Sequence, residues 1–250
     1  MKKHIALFST TLLLASFLGG ARAFADEPHN TPNPADATTE VKGTLELSEN
    51  GGFNPNPPSS ELNEKTSVPE NSYFGIAYKP KSFNIGENVK LADTDEEQFI
   101  VMEGQTDEEA EKKSFHVAVK DKTRSTQRGW TLKAKLAESI DQEDLGISIR
   151  THTTANSVQR NINNGTDGFD KKHLINQVKK DGASLEVTNE ADLVISTSEA
   201  NVMQAQNGKF VNGAYDLELP QVELHIPDAS KVKAQTLNTN VKWTLTNAAQ

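Results

Sequence analysis

The chain has 250 residues, two tryptophans, no cysteine and a formal net charge of −9. Without cysteine it can form no disulfide framework, thiolate zinc site, iron–sulfur cluster or cysteine nucleophile. Its acidic balance lacks the basic footprint of DNA- and RNA-binding proteins, so no nucleic-acid partner is expected. The apolar fraction is 35 % and, with the 15 glycines added, about 40 %, which is still below the roughly 45–50 % of globular chains counted with glycine. Part of the chain is therefore expected to lie outside any core.

Residues 1–25 have the three parts of a secretory signal peptide. Lys2 and Lys3 precede an apolar run that ends at Leu18, and Ala23-Phe24-Ala25 provides a small-residue cleavage site. The apolar run is too short to span a bilayer as a helix. We expect cleavage after this site and export of a mature chain with 23 basic and 35 acidic residues, a net charge of −12. No later apolar run is long enough to cross a membrane.

Residues 26–72 are predicted to form a flexible, partly extended arm. Seven of the ten prolines lie there, among many Asn, Thr, Glu and Ser residues. Such a stretch cannot bury enough apolar surface to offset the entropy lost on ordering. The exception is a strand-like run at residues 41–47, which is suited to adding to a sheet edge, in this molecule or in another. The folded domain is expected to cover residues 73–250.

From residue 73 onward, apolar and polar residues alternate in short segments. A period of two is typical of strands with one buried face and one wet face. Turn signals such as Asn163-Asn164-Gly165 separate the segments, and Asn207-Gly208 is suited to closing a hairpin. Many strands and few helices predict an all-β domain, either an antiparallel β-sandwich or a barrel-like sheet. The predicted strands include residues 115–119, 130–136, 147–149, 222–226 and 241–245.

Two segments carry a helical signal. In residues 169–180, Leu174, Ile175 and Val178 recur at near-helical spacing and a glycine follows as a stop. Residues 107–113 are charged enough for a short helical turn, or for a loop. The domain is therefore expected to contain at most one or two short helices.

The two tryptophans occur in near-identical strand-like contexts. Both belong to the tripeptide Trp-Thr-Leu, at residues 130–132 and 243–245. Alternate residues of a strand share a face, so each Trp lies beside its Leu. The opposite face carries the possible accessory contacts Thr131, Lys133, Lys135 and Thr244.

Both tryptophans allow two interpretations. A Trp ring can stack on a sugar, and its N–H can donate a hydrogen bond. The neighbours on the same face are apolar, however, which favours burial in a core. The residues alone leave both interpretations open.

These motifs resemble the WxL domain of Gram-positive surface proteins. Residues 115–136 are similar to the proximal motif of the family: a strand, a turn of the Asp-Thr-Arg-Gly type and the first W-x-L strand. Residues 219–247 are similar to the distal motif, with a V-x-L-x-I-P segment and the second W-x-L, and residues 73–93 resemble the opening segment. The turn before the first Trp departs from the compact form of the family, because four residues separate Arg124 from Gly129.

The resemblance implies a secreted, extracellular protein of the cell surface that binds the cell wall non-covalently through peptidoglycan. It also implies protein partners, including membrane-anchored surface proteins with immunoglobulin-like domains. An alternative is an interaction subunit that recognises such a partner through strand edges and reaches the wall only indirectly. The residues that bind the wall or define the fold would be Trp130, Leu132, Trp243 and Leu245.

No other site chemistry is predicted. The histidines show neither His-x-x-x-His nor His-Glu-x-x-His spacing for zinc, and there is no Gly-x-Ser-x-Gly elbow. The acidic residues 93–111 begin like a calcium loop, but Gln98 and Gly104 stand where glycine and a bidentate glutamate belong. We therefore expect no enzyme activity, metal or cofactor. The Asn- and Thr-rich residues 151–164 are suited to hydrogen-bonding a glycan, although an ordinary loop is favoured.

Overall fold

The computed structural model describes residues 32, 34–45, 53–68, 72–108, 112–125, 129–177, 185–208 and 211–247. The predicted signal peptide lies outside the described residues. The chain divides into two units, residues 1–45 and residues 46–250. In the first unit, residues 34–45 are exposed and form no strand. The strand-like run at residues 41–47 is described only as far as Leu45, and its addition to another sheet remains a prediction.

The second unit is built from β-strands. Its described residues form fourteen strands and two 3₁₀ turns of three residues, the turns at Lys171–His173 and Ala229–Lys231. The all-β prediction is confirmed. The strands are β1 Asn63–Lys65, β2 Phe74–Pro80, β3 Gln98–Val101, β4 Phe115–Asp121, β5 Trp130–Leu136, β6 Ser148–Arg150, β7 Gln159–Asn161, β8 Leu174–Ile175, β9 Val187–Thr188, β10 Val194–Ile195, β11 Ala200–Ala205, β12 Gly213–Leu219, β13 Glu223–Ile226 and β14 Val241–Asn247.

The strands form three antiparallel sheets. Sheet A has the order β1-β2-β4-β12-β7-β8, sheet B the order β10-β6-β13-β3, and sheet C the order β14-β5-β11-β9. All three contribute to one apolar core, for example through Val117 of sheet A, Leu224 of sheet B and Leu132 of sheet C. Each described sheet has two different edge strands, so the strands form open sheets rather than the barrel-like alternative.

The predicted strands correspond to β4, β5, β6, β13 and β14. Their burial does not always follow the predicted pattern of one buried and one exposed face. β5 alternates between buried and half-buried residues as expected. β4 and β13 are buried on both faces. β14, at the edge of sheet C, keeps its apolar residues only half-buried. Burial therefore depends on what covers each face, which the alternation of one strand does not reveal.

Residues 53–66 belong to the packed domain, in contrast to the prediction of an arm up to residue 72. β1 pairs with β2, with Asn63 opposite Pro80. Asn63 is 1 % exposed, and its side-chain Nδ2 donates to Ser114 O at 3.0 Å. Its Oδ1 accepts from the backbone N–H of His116 at 2.8 Å. Pro55, Pro57 and Pro58 are also buried, and Leu62 packs against the core. Hydrogen bonds and apolar contacts together therefore hold this segment in the domain.

Two local predictions fail for tertiary reasons. Within the described part of residues 169–180, one 3₁₀ turn forms, capped by Asp170, and the chain then extends into β8, where Leu174 and Ile175 pair with β7. Asn207-Gly208 forms a turn, but β11 and β12 on either side belong to different sheets, so it closes no hairpin. In each case, pairing with a distant strand overrides the local signal.

The predicted helical turn at residues 107–113 is only partly described. Thr106 and Lys113 face each other in an isolated antiparallel bridge, and residues 107 and 108 are not helical. Residues 109–111 lie outside the described residues. The described flanks therefore favour the loop interpretation.

Candidate functional site

The two W-x-L motifs lie side by side in sheet C. β14 pairs with β5 along seven residues, with Leu245 opposite Leu132 and Trp243 opposite Ala134. Directly opposed residues of an antiparallel pair point to the same face of the sheet. Both motifs therefore project toward the core. Two tripeptides that begin 113 residues apart in the sequence form one pair of neighbouring strands, which we call the W-x-L ladder.

Trp130 is enclosed on all sides. It is 0 % exposed, and its ring centroid lies 6.4 Å from that of Phe74 and 6.3 Å from that of Tyr215. Its indole N–H donates to Oδ2 of Asp121 at 3.0 Å. The other oxygen of Asp121 accepts from the backbone N–H and the hydroxyl of Thr123, at 3.0 and 2.6 Å. The Asp-Lys-Thr-Arg turn thus anchors the ring in the core, and no surface of Trp130 is left to stack on a sugar.

Trp243 and Leu245 are more accessible. Both are half-buried, because β14 is an edge strand and no further strand of the described chain covers its outer side. They pack against the same core as Trp130 and Leu132. Trp243 and Leu245 therefore retain some contact with solvent, whereas Trp130 and Leu132 do not.

The opposite face of the ladder carries a small charged row. Thr131, Lys133, Lys135 and Thr244 are half-buried there. Lys133 Nζ lies 2.9 Å from Oε2 of Glu199. That hydrogen bond and the charge of Lys133, with smaller effects of Lys135 and Lys242, lower the pKa of the Glu199 carboxyl. Lys133 is thus paired within the protein.

Comparison with known protein families shows which family this chain belongs to. The profile of a family described as WxL domain, surface cell wall-binding, matches residues 30–248. The chain belongs to the WxL family. No curated protein and no solved structure matches it. The protein is a cell-surface protein with a wall-binding WxL domain, and the W-x-L ladder is the pairing of its two name-giving motifs.

The WxL domain also contains a buried polar network that the sequence did not reveal. Tyr78 donates its hydroxyl proton to Oδ2 of Asp216 at 2.6 Å, and Asn161 Nδ2 donates to the same hydroxyl at 3.0 Å. His116 Nδ1 lies 3.0 Å from Asp216 Oδ1. His116 Nε2 lies 3.0 Å from the hydroxyl of Ser114. The only sequence signal was His116, a polar residue of the predicted strand at residues 115–119 that was expected to face solvent.

Ser114, His116 and Asp216 follow the hydrogen-bonding order of a serine hydrolase triad. All three are buried, with 6 %, 3 % and 1 % of their surface exposed. Residues 53–66 cover them: Ser114 N donates to Ser59 Oγ at 3.3 Å, and Asn63 bonds the backbone on both sides of the pair. A nucleophile has to reach its substrate. This arrangement therefore holds the covering segment to sheet A rather than exposing a reactive hydroxyl.

Alkaline pH is expected to destabilise the WxL domain. Burial, and next the negative charge of Asp216, raise the pKa of Tyr78 well above 10.0. Burial, and next the hydrogen bond to Glu186, raise the pKa of Tyr215 as well. Both hydroxyls deprotonate near pH 10 in the unfolded chain but remain protonated in the folded one. Their contribution is complete below about pH 10 and decreases above it, by up to about 1.4 kcal/mol per pH unit for each tyrosine.

Urea unfolding at pH 8 and pH 11 measures this effect. Lysines titrate in the same range, so the Tyr78→Phe variant is the control, and its stability should decrease less steeply between the two values. An identical decrease in wild type and variant would show that Tyr78 does not carry the effect.

The described residues offer little for other chemistry. No group of three or more His, Asp or Glu side chains among them is placed to hold a metal ion. The same residues contain no helix of the length and apolarity needed to cross a bilayer. The described part of the acidic residues 93–111 instead makes protein contacts, for example between Glu97 Oε2 and His225 Nε2 at 2.8 Å.

Proposed function

We propose that the protein is exported, attaches non-covalently to the outside of the cell wall, and binds peptidoglycan through its WxL domain without catalysis. The observation that carries the proposal is the family match over residues 30–248. The sequence features of a signal peptide support export. The burial of Ser114, His116 and Asp216 supports a role in binding rather than in hydrolysis.

The charge of the protein favours short-range recognition. The chain has a net charge of −9, and loss of residues 1–25 makes it more negative. Like charges repel over a Debye length of about 8–10 Å at moderate ionic strength, so anionic wall polymers do not attract the protein as a whole. The side chains of Lys133 and Lys135 lie beside Glu199, which offsets part of their charge. Hydrogen bonding and close packing remain as the forces that hold the protein to the wall.

Sedimentation with purified, protein-free peptidoglycan tests the proposal. The mature protein is expected to pellet with the wall material. Retention should stay constant or increase when salt is raised from about 0.05 to 0.5 M, because salt screens the repulsion between like charges. Failure to pellet at any salt concentration would contradict direct wall binding. Release by salt would point instead to a local basic surface, of which Lys133 and Lys135 are the first residues to replace.

A second function, binding of a surface protein partner, is favoured by two open strand edges. β14 leaves Trp243 and Leu245 half-buried at the edge of sheet C. At the edge of sheet B, β3 exposes 43 % of Phe99 and 52 % of Val101. An exposed strand edge can accept a strand from another protein. If this function dominates, the protein will pellet with peptidoglycan only after a membrane-anchored partner is added.

A further inference from the structure

We propose that a groove between sheets A and C binds the neutral, N-acetylated sugar chain of the wall. This inference rests on the proposed function and assigns it a site. The groove has a volume of about 980 Å³, near the upper end of the roughly 300–1,000 Å³ of ligand pockets. Strands β7 and β9 and the residues that follow β8 and β11 line it. Neutral polar side chains dominate the lining: Thr154, Asn156, Gln159, Asn176, Thr188 and Gln206.

Two buried amides hold the residues around this polar groove in place. Gln177 is 7 % exposed and donates to Val158 O and Val187 O, both at 2.8 Å. It also accepts from the backbone N–H of Val187 at 2.9 Å, which joins sheet A to sheet C. Asn189 likewise donates to Thr154 O at 2.8 Å and accepts from Ser157 N at 2.9 Å. These bonds position the groove before any ligand arrives, which reduces the entropic cost of binding.

Three other amides in the groove do not take part in such hydrogen bonds within the protein. Within the described part of the chain, the side chains of Gln159, Asn176 and Gln206 make no hydrogen bond to another residue. Each offers two N–H donors and one carbonyl acceptor. The acetamido group and the hydroxyls of an N-acetylated sugar present the complementary acceptors and donors. The groove therefore matches a polar, uncharged ligand.

The charges around the groove argue against an anionic ligand. Lys112 is the one cation among the lining residues, and its Nζ lies 2.6 Å from Oε1 of Glu218. This ion pair leaves the groove nearly neutral within a chain of net charge −9. A phosphate-rich polymer would meet no unpaired cation among the lining residues. A neutral sugar chain is not repelled by the negative charge of the protein.

The shape of the site favours a chain over a single sugar. A second cavity, of about 430 Å³, shares Asn156 and Thr188 with the first and continues along β11 past Asn201 and Gln204. Successive sugar units can therefore occupy the two cavities in sequence. The loop at residues 154–157 separates them and belongs to the Asn- and Thr-rich stretch for which glycan binding was left open.

The test compares two triple variants of the mature protein. Gln159→Ala, Asn176→Ala and Gln206→Ala together remove three amides from the groove. Gln142→Ala, Asn238→Ala and Asn240→Ala remove three exposed amides elsewhere on the domain and serve as the matched control. Binding is measured by sedimentation with purified peptidoglycan and by calorimetry with a soluble β-1,4-linked N-acetylglucosamine oligomer. Thermal melting shows whether both variants fold like the wild type.

The groove variant is expected to bind both probes about tenfold more weakly or worse, since it lacks three amides that can each form a hydrogen bond to the ligand. The control variant should bind like the wild type. Equal binding of all three proteins to the wall would overturn the groove assignment while leaving wall binding intact. If the wild type fails to pellet with peptidoglycan, the proposed function is wrong. The oligomer then tests the groove separately, and binding that the groove variant alone loses supports it.

Discussion

Replacement of Trp130 by alanine is expected to lower the free energy of unfolding by about 3–5 kcal/mol. The ring is completely buried between Phe74 and Tyr215, so its removal leaves a large cavity in the core. The buried carboxylate of Asp121 also loses the donor at 3.0 Å. Urea denaturation followed by circular dichroism measures the change.

Two further variants separate the contributions. Trp130→Phe keeps an aromatic ring but removes the N–H and part of the ring volume, so it should cost less than alanine and combines the lost bond to Asp121 with a smaller cavity. Trp243→Ala is the matched control in the second motif and should cost less, about 1–2 kcal/mol, because its ring is half-buried on an edge strand. An unchanged unfolding transition of Trp130→Ala combined with lost wall binding would show that Trp130 contacts the wall after all.

A chain that begins at Ser72 is expected to be about 5 kcal/mol less stable than one that begins at Phe53. The shorter chain lacks β1 and the hydrogen bonds of residues 58–66 to the rest of the domain. These include the two bonds of Asn63 with Ser114 and His116, the bond from Ser114 N to Ser59 Oγ, and the backbone bonds Thr66 N to Ala77 O and Lys81 N to Leu62 O. Five such bonds at about 1 kcal/mol each amount to much of the roughly 5–15 kcal/mol stability of a typical domain.

Thermal melting of the two truncated chains tests this boundary. The chain from Phe53 should melt cooperatively, whereas the chain from Ser72 should melt at a much lower temperature or without a transition. The melting temperature of the longer chain with the Asn63→Ala substitution should lie between those of the two truncated chains. Equal melting temperatures of both chains would show that the folded domain begins at residue 73, as predicted from the sequence, and that residues 53–71 are not needed for stability.

The amino-acid sequence alone was enough to predict the fold class, the location of the main strands and the family. Alternation of apolar and polar residues is a local property, so it located β4, β5 and β14 without knowledge of their partners. The two Trp-Thr-Leu tripeptides and their flanking motifs can likewise be recognised from the sequence alone. Both motifs were recognised as one signature, but only the register of β14 on β5 shows that Leu132 and Leu245 face each other.

Which faces of the strands are buried was evident only from the folded structure, because burial depends on the segments that pack against each face. Period two cannot distinguish a wet face from one covered by another segment. His116 was therefore expected to face solvent, but it is buried in the structure. Residues 53–66 escaped prediction because their composition does not reveal that three of their prolines are buried or that Asn63 bonds to Ser114 and His116. The polar groove is assembled from residues 112–220 across two sheets, and its amides are far apart in the chain. Trp130 had two open interpretations until the packing of Phe74, Tyr215 and Asp121 around it placed the ring in the core.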